Sequence, residues 1–324
     1  MKVLVSGGKG FIGRNVVKAL VARGNHVSIG TRHARAASNG ALAEREIRLH
    51  TRIRADDWHA EAAEFDVIVN CAGILRARWK ETFDAVYRQA PVAIATACVK
   101  HSTRFVHVTA LGLHATASSG FITAKLAGEI GIAAANPAAC IVRPSLLDGP
   151  DGYGARWLRR VAQWPVHFVP SDAFGRLAPL DVGELGEAIA ALCACEASAS
   201  PASVELGGEH RFAMTEYLHA LRRNPKPAIR LTVPAWLVRC VAHLFDALHV
   251  TPLSWGHQEL MRRDNVPCAA DTYALRRWLG RAPSPVSLSR VTDKTLSEAL
   301  PAVNSVWCAG DRALRASSKY RKMC

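Results

Sequence analysis

Four glycines fall within seven residues near the start of the chain, in Gly7-Gly-Lys-Gly-Phe-Ile-Gly13, between two patterned segments. Lys2-Val-Leu-Val-Ser6 before them is a β-branched run. Phe11, Ile12, Val16, Val17, Leu20 and Val21 after them recur at helical spacing until Gly24 ends the pattern. Strand, tight turn and helix in that order open a βαβ unit. Missing Cβ atoms let the backbone turn sharply and approach a phosphate, while the helix N-terminus offers free N–H groups and a positive dipole end. The run satisfies two registers, Gly8, Gly10, Gly13 and Gly7, Gly10, Gly13. In this setting it is expected to cradle a pyrophosphate.

Further strands are expected at His26–Gly30, Asp66–Asn70, Arg104–Ala110 and Ala139–Arg143, with helical stretches near 81–100 and 121–135 between the later ones. Such alternation implies right-handed crossovers, hence an α/β fold with a doubly wound parallel sheet and a nucleotide site at the strands' carboxyl ends. A sheet of this kind that reads NAD carries an Asp or Glu about 20 residues beyond the glycine turn, for the ribose 2′-hydroxyl. The earliest acid in this chain is Glu44. Gly30-Thr-Arg-His-Ala-Arg35 occupies that place instead, and the first 54 residues hold 11 basic side chains against 2 acidic ones. Guanidinium forks fit a phosphate, so Arg32 and Arg35, with Arg14 nearby, point to the 2′-phosphate of NADP. A solvated basic loop is the plainer alternative.

After Gly154 the alternation loosens. Residues 1–150 are expected to form the dinucleotide domain, with segments after 176 returning to it, and 151–300 a smaller, mostly helical lobe facing substrate or partner. Residues 301–324 form a basic tail. Ser203–Gly207 is expected as an isolated strand, Thr215 as the N-cap of a helix running to about Arg223, and helices near 234–249, 256–264, 271–279 and 292–299. Trp236-Leu-Val-Arg-Cys-Val-Ala-His-Leu-Phe-Asp-Ala-Leu248 reads as a core helix of this lobe, or else as a flat face with Arg222, Arg223, Arg230, Arg262 and Arg263 nearby, docking on a membrane or a partner.

No apolar stretch is long enough to span a bilayer, and with the first strand-like run beginning at Lys2, secretion is not expected. Nine cysteines lack the paired spacing of a zinc site or disulfide framework and are expected to be buried small apolar residues in a reducing compartment. The net charge of +14 is shared by both halves and comes without the aromatic-basic motifs of a nucleic-acid reader, so no nucleic-acid partner is expected. The expected location is the cytoplasm, with the inner face of a membrane as the alternative.

The glycine turn, Asn70-Cys-Ala-Gly73, Thr109 and Lys125 resemble the extended, epimerase-like short-chain dehydrogenase/reductases. Val106-His-Val-Thr-Ala-Leu-Gly112, Arg143-Pro-Ser-Leu-Leu-Asp-Gly-Pro150, Pro179-Leu-Asp-Val-Gly183 and Val204-Glu-Leu-Gly-Gly208 are closer still to its atypical branch. That branch holds the nucleotide-binding accessory subunit of respiratory complex I and its bacterial relatives. The likeness covers about residues 1 to 300. It implies a Rossmann core binding NADP(H) through Gly7, Gly10, Phe11, Ile12, Gly13, Arg32, Arg35, Cys71, Ala72, Gly73, Thr109, Lys125 and Pro144, with no metal. It also points to a membrane-associated protein partner or a peripheral membrane surface.

Active members of the superfamily use a Tyr-x-x-x-Lys pair, Tyr moving the proton and Lys lowering its pKa while holding the nicotinamide ribose. This chain has Phe121-Ile-Thr-Ala-Lys125. Phe121 has no ionisable group, whereas Lys125, at i+4, keeps its place on the same helix face. Thr109 and Lys125 are thus the residual catalytic candidates. Tyr87 and His114 are further sources of a proton, Tyr87 reading equally as a packing aromatic. Two functions follow from the resemblance: a structural or assembly subunit holding NADPH with little turnover, or an NADPH-dependent oxidoreductase or epimerase acting on a small carbonyl or quinone-like compound.

Overall fold

The computed structural model describes residues 1–34, 42–196, 199–224, 226–248 and 254–285. Arg35, the 292–299 helix and the basic tail lie outside them.

Residues Met1–Ser289 form one compact unit. Its first elements are β1 (Lys2–Ser6), α1 (Phe11–Ala22), β2 (His26–Thr31), β3 (Ala43–Glu46), α2 (His59–Glu64) and β4 (Val67–Asn70). A π turn over Ala85–Gln89 leads into α3 (Ala90–His101), then come β5 (Arg104–Val108), α4 (Gly120–Ala135) and β6 (Cys140–Pro144). Seven parallel strands run in the order β11-β6-β5-β4-β1-β2-β3 once β11 (Ser203–Leu206) is added. This is the Rossmann arrangement, and its strand order reverses between β1 and β4.

Strand periodicity builds the two core layers. Val3, Val5, Val67, Val69, Val106 and Val108 point to one face, where they pack with α1. Leu4, Ile68 and Phe105 point to the other, against Trp58, Ile94 and Ile122. Burial on both faces explains why these strands are continuous β-branched runs. Ser203–Gly207, expected to stand alone, instead joins the sheet in parallel beside β6. Its return is carried by α6 (Val182–Ala194), which lies against α1 so closely that a Cβ on Gly186 would meet Asn15 O at 2.6 Å.

Between β6 and α6 lie β7 (Leu147–Asp148), α5 (Tyr153–Ala162), β8 (Val166–Pro170), β9 (Arg176–Leu177) and β10 (Leu180–Asp181). After β11 come β12 (Phe212–Ala213), α7 (Met214–Ala220), β13 (Ile229–Val233), α8 (Ala235–Leu248), α9 (Trp255–Leu260) and α10 (Ala274–Leu279). The smaller lobe therefore holds helices with two-stranded ribbons, among them β8 paired with β13. Helix α7 begins one residue before Thr215, and Glu216 Oε2 accepts the Ala213 N–H in place of the expected threonine cap. The Trp236–Leu248 segment is helical but not a core helix: only Ala242 on it is fully buried. Cys240 and Cys268 are exposed, contrary to expectation, whereas Cys98, Cys140 and Cys193 are buried.

Candidate active site

The carboxyl ends of β1, β2, β4, β5 and β6 open into a cleft of about 700 Å³, the size of a site for a cofactor and a substrate. At its sheet end the glycine turn is shaped by contacts that forbid side chains. Gly7 has φ +74, and a Cβ there would lie 2.6 Å from Ala72 Cα. A Cβ on Gly13 would lie 2.2 Å from Gly7 O, so Gly13 serves helix packing and does not itself line the cleft. Gly10, Phe11 and Ile12 do line it, bringing the unpaired N–H groups of the first turn of α1 to the cleft wall. This cradle suits a dinucleotide pyrophosphate.

Cys71, Ala72, Gly73, Thr109, Lys125, Phe121 and Pro144 line the same cleft, as does Arg32 just past β2. Arg32 is ion-paired with Glu81 at 3.3 Å. Glu81, also in the cleft wall, was not foreseen; it comes from the segment after β4 and not from the end of β2. Arg14 lies near Asp151, at 3.4 Å. Asn70 shapes the turn after β4: its Oδ1 accepts the Ala72 N–H at 3.2 Å while its Nδ2 meets His107 Nδ1 at 3.1 Å.

Lys125 owes its position to Gly128. A Cβ on Gly128 would lie 1.9 Å from Tyr87 O, so α4 and the π turn approach as closely as backbones allow. Lys125 Nζ then sits over the Tyr87 ring at 4.4 Å and the Phe121 ring at 5.4 Å, in cation–π contact with both. Burial pulls its ammonium down to about 8, with Glu129 opposing the shift. The Tyr87 hydroxyl is committed elsewhere, donating to Ile74 O at 2.5 Å and accepting Ile74 N–H at 2.9 Å. Burial also pushes the phenol up, so Tyr87 packs and pins the loop and is no proton donor. His114 bonds Thr116 at 3.1 Å and does not line the cleft. Thr109 Oγ1 is buried without a hydrogen-bond partner among the described residues; an orphaned hydroxyl on a cleft wall is an open position for a ligand oxygen.

Sequence reasoning missed His257. A Cβ on Gly256 would lie 2.9 Å from Phe121 Cβ, so α9 reaches α4 and sets the His257 ring 5.2 Å from the Phe121 ring. Ser254 Oγ lies 2.6 Å from His257 Nδ1. Burial, then the charge of Lys125, pulls this imidazole down to about 4, which keeps it neutral near pH 7. No spacing in the sequence joins residue 257 to residue 121.

Apart from Ser145, Asn265 and His257, the rest of the cleft is apolar. Leu146, Trp157, Leu158, Leu177, Met214 and Met261 form the wall away from the glycine turn. The charged residues of the lining are Lys9, Arg32, Glu81 and Lys125, and three of them belong to the glycine-turn end.

The model of the NAD dependent epimerase/dehydratase family matches residues 3–167, just over half of the chain. The chain belongs to this family. As an epimerase/dehydratase-family protein it is 29% identical over 283 residues to a ceramide reductase of Caulobacter vibrioides, covering 83% of this chain and 86% of that one. Its fold is shared with MoeE5 in complex with UDP-glucuronic acid and NAD, with 16% identity, TM-score 0.60, and 93% and 100% of the two chains covered. A nucleoside-diphosphate-sugar epimerase from Staphylococcus aureus is similar too, with 12% identity, TM-score 0.66, and 89% and 99% covered.

Proposed function

We propose that this family member is an NADPH-dependent reductase of a ketone carried on a long-chain lipid amide. The apolar wall carries this reading. A nucleotide-sugar substrate would bring a second diphosphate, which is held by cations or by a second cradle of free N–H groups; beyond the glycine-turn end, Lys125 is the one charged side chain among the described residues of the lining. Leucines, methionines and Trp157 suit an alkyl chain. The likeness to a ceramide reductase supports the substrate class. A ceramide bears a secondary hydroxyl, the group that hydride addition to a ketone creates.

Gly7, Gly10, Phe11 and Ile12 would hold the pyrophosphate, Arg32 the 2′-phosphate in exchange for Glu81, Cys71 to Gly73 the adenosine side of the cleft floor, and Lys125 with Pro144 the nicotinamide end. The bound cofactor supplies the hydride. Thr109 donates its free hydroxyl to the carbonyl oxygen. Lys125, whose ammonium titrates at about 8, gives that oxygen its proton and recovers one from solvent, so it does the work of the missing tyrosine. His257 Nε2 has no hydrogen bond to another described residue and offers a second contact for the same oxygen.

A second reading is favoured by Phe121: a structural or assembly subunit of the complex I branch that holds NADPH without turning it over. The two part on one assay. NADPH oxidation is followed with an N-acylated long-chain 3-ketone, a quinone and a UDP-hexose. The reductase reading expects turnover with the lipid ketone, at least tenfold lower in Lys125→Ala and in His257→Ala. Tight NADPH binding with no turnover on any of the three, unchanged by Phe121→Tyr, would leave the second reading standing.

A further inference from the structure

Helix α8 wears its apolar stripe outward. Leu237, Cys240, Leu244 and Leu248 recur at i, i+3, i+7 and i+11, the spacing of a core-facing stripe. Yet all four are exposed, Leu248 at 58%, and Trp236 beside them is 67% exposed. The inner face is occupied: Asp246 bonds Arg76 at 3.0 Å and the Trp255 backbone at 2.9 Å. The outward stripe is therefore not a misplaced core. It continues into β13, where Ile229 and Leu231 are exposed, and across the register pair Leu231↔Phe168 into β8, where Phe168 is exposed too.

The nearest acids, Asp246 on α8 and Asp172 just past β8, are ion-paired with Arg76 and Arg262. From Gly152 to Pro170 and from Tyr217 to Phe245 there is no Asp or Glu. The exposed cations there are Arg156, Arg160, Arg223, Lys226, Arg230 and Arg239. A second copy of this chain would bring the same cations against them and repel. A surface of aromatic and aliphatic side chains framed by exposed cations matches the interface of an anionic bilayer, where apolar groups enter the acyl boundary and arginines meet lipid phosphates.

We propose that the face built by α8 and the β8–β13 ribbon docks this protein on the surface of an anionic membrane. The docking goes beyond the reductase reading and does not depend on it.

Binding is tested by co-sedimentation of the full chain with vesicles of phosphatidylcholine alone, or with one third phosphatidylglycerol. The expected result is binding to the anionic vesicles at least tenfold tighter than to the neutral ones, weakened at least tenfold by molar salt. The double variant Trp236→Ser with Leu244→Ser should lose at least tenfold, and so should Arg223→Glu with Arg230→Glu, a pair of solvent-facing changes that spares the apolar side chains. NADPH binding by calorimetry checks that each variant is folded. The proposal is overturned by equal or absent binding to both vesicle types. It is overturned as well if binding survives the Trp236/Leu244 change, which would mark a purely electrostatic polyanion site or the basic tail. A wild-type dimer that becomes monomeric in that variant would make the face a self-interface and overturn it too. Because no substrate enters these measurements, loss of turnover with the lipid ketone and loss of vesicle binding are separate failures.

Discussion

Replacing Lys125 by methionine should make the protein more stable and less active, and the stability gain should depend on pH in one direction. Lys125 is 9% exposed, and burial carries its ammonium from 10.5 to about 8. At about 1.4 kcal/mol per unit, that shift is a cost of about 3 kcal/mol to the folded state. That figure is net of what the faces of Tyr87 and Phe121 return, over which Nζ sits at 4.4 and 5.4 Å. Methionine fills a similar volume without the charge, so Lys125→Met should gain up to about 3 kcal/mol near neutral pH. Below pH 8 the ammonium is charged in both folded and unfolded chains and the whole cost is present. Between about 8 and 10.5 the unfolded chain binds more protons than the folded one, so wild-type stability rises with pH and the advantage of the variant shrinks. Urea unfolding of both proteins at intervals from pH 7 to 10 measures the difference directly. A difference that stays flat across that range would refute the claim that a strained, charged lysine occupies this site.

The glycine turn and the adenosine end give two further expectations. Gly13→Ala puts a Cβ 2.2 Å from Gly7 O and should displace the turn, weakening NADPH binding at least tenfold in calorimetry while the sheet core persists by circular dichroism. Arg32→Ala should weaken NADPH by about 1 to 3 kcal/mol, the scale of a charge-assisted contact, and leave NADH nearly unchanged. If instead NADH gains and NADPH is untouched, Glu81, freed from its 3.3 Å pair, is the group that reads the ribose.

The glycine turn and strands were legible because their signals are local: each β-branched run alternates between two core layers, and Gly7 and Gly13 are required by contacts within one βαβ unit. The Phe121–Lys125 pair was legible for the same reason, one helical turn apart. Legibility ended where function depends on distant segments. His257 reaches Phe121 only because Gly256 lacks a side chain at the crossing, and Glu81 meets Arg32 from 49 residues away. Ser203–Leu206 carries too few residues to declare a partner, and only the packing of α6 on α1 delivers it to β6. For α8 the sequence gives the period of the apolar stripe but not whether protein or another medium covers it.

The loss of the tyrosine and the softened lysine are one event in physical terms. A phenol at position 121 would offer Lys125 an oxygen, and hydrogen bonding to the charged form holds a lysine up. Phenylalanine offers only a ring face. The carboxylate nearest in influence, Glu129, is held by Arg143 at 2.7 Å, and the two imidazoles that feel Lys125, His107 and His257, are themselves kept neutral, pulled down to about 3 and about 4. With no strong counter-charge left, desolvation governs, and the ammonium becomes an acid suited to neutral pH. On the proposed reductase reading, the same difference from the family's tyrosine that removes one proton donor supplies another. Titration of Lys125 by NMR of ¹³Cε-labelled lysine should give a midpoint near 8 in the wild type and a higher one in Phe121→Tyr. A wild-type midpoint above 10 would show that the ring faces alone hold the charge, and Lys125 would then be too weak an acid to stand in for tyrosine.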